Sequence, residues 1–112
     1  MPECIFCNII NGKLSAEIVY NDDEIVAFRD VQPQAPTHIL ICPREHVEDL
    51  NNFDNDALTA SIFRVARQLA VSEGISETGY RVVANCREAG GQTVYHVHFH
   101  LLGGRDFQWP PG

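Results

Sequence analysis

The stretch Val94-Tyr95-His96-Val97-His98-Phe99-His100-Leu101-Leu102 decides how the rest of the chain is read. Histidine alternating with β-branched and aromatic residues predicts a strand over 94–102. Side chains on a strand alternate faces, so Tyr95, Val97, Phe99 and Leu101 would enter a core while Val94, His96, His98, His100 and Leu102 share the other side. Three adjacent imidazoles on one face cost free energy unless each has a partner, so that face reads as a site and not as packing. Alternate residues lie about 6.8 Å apart, too far for three neighbouring rings to meet on one metal without distortion. A three-histidine metalloenzyme is therefore the second choice. The first is division of labour, with one imidazole attacking an electrophile while its neighbours orient it or donate protons. Just upstream, Gly90-Gly91-Gln92-Thr93 offers backbone N–H groups and a hydroxyl to anionic oxygens, which makes the electrophile a phosphate.

Working outward, Leu58, Ile62, Val65 and Leu69 recur at helical spacing and predict one long amphipathic helix over 54–73, capped by Asp54 or Asn55 and left at Gly74. Thr37 to Cys42 reads as a strand buried on both faces, Glu17–Tyr20 and Glu24–Arg29 as a hairpin, and Tyr80–Asn85 as a further strand. Ile5, Phe6, Ile9 and Ile10 before Asn11-Gly12 predict a short N-terminal helix. The sum is an α+β fold: an antiparallel sheet of about five strands, the long helix on its apolar face and the histidines opposite. A chain of 112 residues is one domain, with a core over 1–104 and a C-terminal arm over 105–112 that carries the single Trp.

Composition bounds the function. Eight Lys and Arg against 15 Asp and Glu give a net charge of −7, the wrong sign for holding nucleic acid. No apolar run suits a membrane span, and Met1 to Asn11 has neither a basic n-region nor a cleavage site, so a soluble cytoplasmic protein is expected. The four cysteines would then be thiols. Cys4-x-x-Cys7 has the spacing of half a zinc site, while Cys42 reads as core and Cys86 as a loop thiol.

His96-Val97-His98-Phe99-His100-Leu101-Leu102 matches the signature of the histidine-triad family, and the chain resembles its Hint branch of nucleotide-binding proteins. The likeness runs from Ile5-Phe6 through Pro33-Gln34-Ala35-Pro36-Thr37-His38 and Gly90-Gly91-Gln92 to Trp109-Pro110-Pro111-Gly112. It implies a homodimer with a continuous sheet, the Trp109 arm near the partner's site, and hydrolysis of the P–N bond of purine nucleoside phosphoramidates through a covalent nucleotidyl-histidine, without a catalytic cofactor. By this resemblance His98 is the nucleophile, His100 and His38 are its neighbours, and Gly91, Gln92 and Thr93 meet phosphate oxygens or the leaving group. Asp30 holds the ribose and Asn85 the sugar–phosphate side. Ile5, Phe6, Ile9, Phe28, Val31 and Leu40 form the base slot, with Arg29 at its rim in place of a neutral residue. The resemblance also implies a structural zinc on Cys4, Cys7, His46 and His96. A nucleotide-sensing regulatory subunit and a dinucleoside polyphosphate hydrolase are the alternatives.

Overall fold

The computed structural model describes residues 4–112. Helix α1 (Ile5–Ile10) is followed by strands β1 (Ile18–Asn21), β2 (Ile25–Arg29) and β3 (Thr37–Pro43), helix α2 (Asp56–Ser72), and strands β4 (Tyr80–Val83) and β5 (Phe99–Gly103). The five strands form one antiparallel sheet in the order β1-β2-β3-β5-β4. Among the described residues, no helix is long and apolar enough to cross a membrane.

Local chemistry fixes these elements. The Asn55 side chain accepts from the Leu58 N–H at 3.0 Å, which caps α2, and Gly74 ends it at φ +75°. Period-two alternation divides the sheet. Ile25, Ala27, Ile39, Ile41, Phe99 and Leu101 pack under Leu58, Ile62, Val65 and Leu69 of α2. Val26, Phe28, Leu40 and Cys42 point the other way and are covered by Phe6 of α1. β3 is buried along its whole length, as its unbroken apolar run predicts.

The strand predicted over 94–102 is shorter: only Phe99–Gly103 pairs, and His96 and His98 lie in an irregular approach to it. Ile41 faces Phe99 in the ladder, so continuing the register would set Val97 against Pro43, which has no N–H to give. The Val97 N–H turns instead to the Val47 carbonyl at 2.7 Å, and the Pro43 carbonyl takes the His96 ring at 2.8 Å. The strand predicted over 80–85 likewise stops at Val83.

Candidate functional site

The backbone selects which nitrogen each histidine leaves free. His98 Nδ1 lies 2.7 Å from the His96 carbonyl, which only accepts, so Nδ1 carries the hydrogen and Nε2 keeps its lone pair. His38 works in the opposite sense. The Gln34 N–H donates to its Nδ1 at 3.0 Å, so its hydrogen is on Nε2, which donates to His100 Nδ1 at 2.9 Å. That leaves the His100 hydrogen on Nε2, a buried donor without a partner. An orphaned donor beside a ring with a free lone pair is an arrangement that waits for a ligand oxygen.

Burial is the main cause that lowers the pKa of His38, His98 and His100, and His100 is pushed down to about 4. All three rings are therefore neutral near pH 7, the state in which imidazole is nucleophilic.

His98 and His100 line a cleft of about 390 Å³, within the range of small-molecule sites. Ile5, Phe6, Ile9, Phe28, Val31 and Leu40 form its apolar side, and Asp30 and Thr93 supply its polar edge. One Asp30 oxygen accepts from the Gln32 N–H at 2.8 Å and the other lies 3.5 Å from His38 Nε2. The cleft also takes in Leu14, Ser15 and Ala16, which no sequence pattern singles out.

Arg29 is at the rim as expected, and three other expected site residues, Gln92, Gly91 and Asn85, are placed otherwise. Arg29 borders the cleft, but its guanidinium binds Glu73 through two bonds of 2.9 Å and Glu17 at 3.0 Å, on the α2 side of the sheet. Alternation carried that signal, since Arg29 follows the cleft-facing Phe28. Gln92 is buried as a brace: its amide donates to the Glu48 and Val94 carbonyls at 2.8 and 3.1 Å and accepts from the Arg87 N–H at 2.8 Å. The glycine loop is no anion cradle either, because the N–H groups of Gly90, Gly91 and Gln92 all donate within the turn. Gly90 is there because a Cβ would strike the Cys86 backbone, and Gly91 because its φ is +85°. What the loop presents to the cleft is Thr93. Asn85 lines a second cavity with Gln34, His38, Arg81, His100 and Arg105, on the far side of the His38–His100 pair.

The cysteine pair meets two histidines. His96 donates from Nε2 to the Pro43 carbonyl, so its lone pair is on Nδ1, 3.5 Å from Cys4 Sγ and 3.6 Å from Cys7 Sγ. His46 Nδ1 is 3.4 Å from Cys7 Sγ. Tetrahedral zinc with bonds of about 2.3 Å to sulfur and about 2.0 Å to nitrogen sets S···N separations of about 3.5 Å, so these four residues fit the ion. Burial and the neighbouring Cys4 raise the Cys7 pKa, a cost that a bound cation removes. Asp30, His38 and His100 also converge, but the Gln34 N–H keeps a hydrogen on His38 Nε2, the atom that would have to bind a metal.

A family model described as the HIT domain matches residues 11–107. The purine nucleoside phosphoramidase of Escherichia coli K12 is 47% identical over 105 residues, covering 92% of this chain and 88% of that one. An uncharacterised HIT-like protein of Synechococcus elongatus is 48% identical over 98% of this chain and 97% of its own. The crystal structure of a HIT family hydrolase from Legionella pneumophila superposes with a TM-score of 0.95 at 51% identity, covering 98% of this chain and 100% of that one.

Proposed function

The chain belongs to the HIT domain family, whose structural neighbours include HIT family hydrolases, and from that premise we propose that it cleaves the P–N bond of purine nucleoside 5′-phosphoramidates through a nucleotidyl group on His98. The observation that carries this reading is the His98 tautomer: Nδ1–H held by the His96 carbonyl, Nε2 free on a ring that lines the cleft. Binding alone has no use for a neutral imidazole so held. The name of the Escherichia coli relative points the same way.

In the proposed mechanism the purine lies between Phe6, Phe28 and Leu40, and the free Asp30 oxygen accepts from the ribose. His98 Nε2 attacks phosphorus, the P–N bond breaks, and the amine leaves with a proton. The orphaned His100 Nε2–H donates a hydrogen bond to a phosphate oxygen, in a tautomer that His38 holds through the 2.9 Å bond, and the departing nitrogen leaves with a proton already carried by the substrate or taken from solvent water. The Thr93 hydroxyl donates to a second oxygen. Water then attacks the nucleotidyl-histidine, the P–Nε2 bond breaks, and the nucleoside monophosphate is released. No metal enters these steps.

A structural zinc on Cys4, Cys7, His46 and His96 belongs to the same proposal; when bound it would close a tetrahedral site and contribute folding free energy. So does a homodimer, for which β4 is an unpaired sheet edge with a half-exposed Tyr80 and the Trp109 arm, 82% exposed, could reach the partner's site. A cytoplasmic location completes the reading, supported by four free cysteines.

The test is acid-quenched intact-mass analysis during turnover of adenosine 5′-phosphoramidate. One nucleotidyl group on the wild type, absent from His98→Ala, is the expected result. Tight AMP binding without turnover in the wild type would favour the nucleotide-sensing subunit, and preferential cleavage of dinucleoside polyphosphates the other hydrolase.

A further inference from the structure

Glu73 is the C-cap of α2, and no basic residue stands in the last turn of that helix. A carboxylate at this end opposes the helix dipole, so α2 gains nothing from Glu73 on its own account. What the carboxylate does is bridge two strands. Its two oxygens accept from the Arg29 guanidinium at 2.9 Å each, and the Thr37 hydroxyl donates to one of them at 3.4 Å. The Glu73 side chain is only 18% exposed, and the forked geometry makes this one of the stronger kinds of ion pair. Accordingly, Arg29 holds the Glu73 carboxyl below its ordinary range.

Arg29 and Thr37 are the residues immediately before Asp30 and His38. Arg29 ends β2 and Thr37 begins β3, and both side chains turn to the α2 face. Alternation sends Asp30 and His38 to the other face, where their side chains lie 3.5 Å apart. The ladder between β2 and β3 ends at this point. The Asp30 N–H donates to the His38 carbonyl at 3.0 Å, and the chain then leaves through the exposed residues Val31 to Gln34. Ladder ends open more readily than ladder middles, so the setting of Asp30 against His38 needs a tie beyond the backbone. The Glu17 bond to Arg29 is largely exposed and contributes little. Glu73 is the group that reaches both strands.

We infer that Glu73 is a positioning residue for the nucleotide site: by clamping Arg29 and Thr37 from behind the sheet, it fixes the Asp30 carboxylate beside His38, where the ribose hydroxyls are received. The inference rests on the reading above for the ribose contact. Glu73 touches no ligand and acts only through the neighbouring residues on the two strands. A small shift at Asp30 takes a hydrogen bond to the ribose out of its effective range, because such bonds weaken steeply with distance and angle. The apolar contacts of the base with Phe6 and Leu40 are far less sensitive to such a shift, and His98 is held by a different segment.

Ribose selectivity tests this, read as the Kd of 2′,3′-dideoxy-AMP divided by that of AMP, so that base and phosphate contacts cancel. The matching quotient of kcat/KM for the two 5′-phosphoramidates follows the effect into turnover. Glu73→Ala should lower both quotients about tenfold. Glu73→Gln keeps an acceptor for Thr37 but gives up the charge that holds Arg29, and should lower them about threefold. Should the alanine variant not fold, the glutamine variant decides alone. Asn55→Ala removes the N-cap at the far end of α2 and lowers the melting temperature, yet should leave both quotients at the wild-type value. Quotients unmoved in the folded Glu73 variants, or lowered equally by Asn55→Ala, overturn the positioning role and leave the hydrolase reading standing. Equal wild-type affinity for the two nucleotides overturns the ribose contact, and the role of Glu73 with it. A wild type that binds AMP selectively but cleaves neither compound overturns the hydrolase reading alone, and the binding quotient still decides the role of Glu73.

Discussion

His96 and His98 sit two residues apart on one irregular segment and present opposite nitrogens. His96 gives its Nε2 hydrogen to the Pro43 carbonyl and turns its Nδ1 lone pair to the cysteines; His98 gives its Nδ1 hydrogen to the His96 carbonyl and keeps Nε2 for the cleft. Identical side chains so close together are thereby suited to the two roles proposed for them, ligand and nucleophile, because different carbonyls claim different hydrogens. Chain geometry, not residue type, divides the work. If the segment were an ideal strand, its backbone carbonyls would be engaged in the ladder and could not set the tautomers in this way.

The division is broken most severely at the reacting ring. His98→Ala should cost at least about 10³-fold in kcat/KM for adenosine 5′-phosphoramidate and keep the metal, with only a modest fall in melting temperature as the His96 carbonyl and the Phe6 ring lose a partner, because the group that forms the bond to phosphorus is removed. His96→Ala should do the reverse. It leaves the Pro43 carbonyl unpartnered and opens the proposed zinc site, so zinc content should fall to zero and the melting temperature by ~10 °C or more. Cys7→Ser, which leaves the Pro43 contact alone, should lose the metal too. Equal loss of turnover and stability in both histidine variants would show that the two roles are not separate.

A smaller effect is expected where the two regions are joined. Gln92 ties the loop before Thr93 to the Glu48 carbonyl, two residues from His46, through its three side-chain hydrogen bonds. Gln92→Ala should lower stability by ~2 kcal/mol and kcat by about tenfold with KM nearly unchanged, as Thr93 drifts from the reacting phosphorus. Kinetics in which KM alone rises would return Gln92 to direct ligand contact, as the resemblance implied.

These contrasts mark where sequence ran out. Alternation and helical spacing carried the sheet, α2 and the two sheet faces, because each is set by which residues must avoid water. Alternation also carried the direction of the Arg29 guanidinium, away from Phe28 and toward Glu73, while the residue keeps its expected place at the rim of the cleft. The early end of the last strand was signalled by Pro43, but only once the register against Phe99 was known. The tautomers, the His38–His100 bond and the inward turn of Gln92 depend on contacts between residues far apart in the chain. No local pattern encodes them.

The gentlest probe of the comparison is proton uptake, because it alters the rings without altering the chain. His100 is held down to about 4, first by burial and then by His98 and His38, against an ordinary value of 6.5. Above pH 6.5 the folded and unfolded chains both carry this ring neutral, so it contributes no pH dependence to stability. As the pH falls below 6.5 the unfolded chain takes the proton and the folded chain does not, so stability should drop with a slope approaching ~1.4 kcal/mol per pH unit until about pH 4, where the folded ring titrates as well. Urea unfolding at pH 7, 6 and 5 measures this slope. His100→Asn keeps an acceptor for His38 Nε2 and should flatten it by up to that amount, while any loss of metal at the Cys4–Cys7 end affects both proteins alike. An undiminished slope in His100→Asn would show that His100 is not the ring the fold holds neutral, and would leave the pH dependence to the other histidines that burial lowers, His38, His96 and His98.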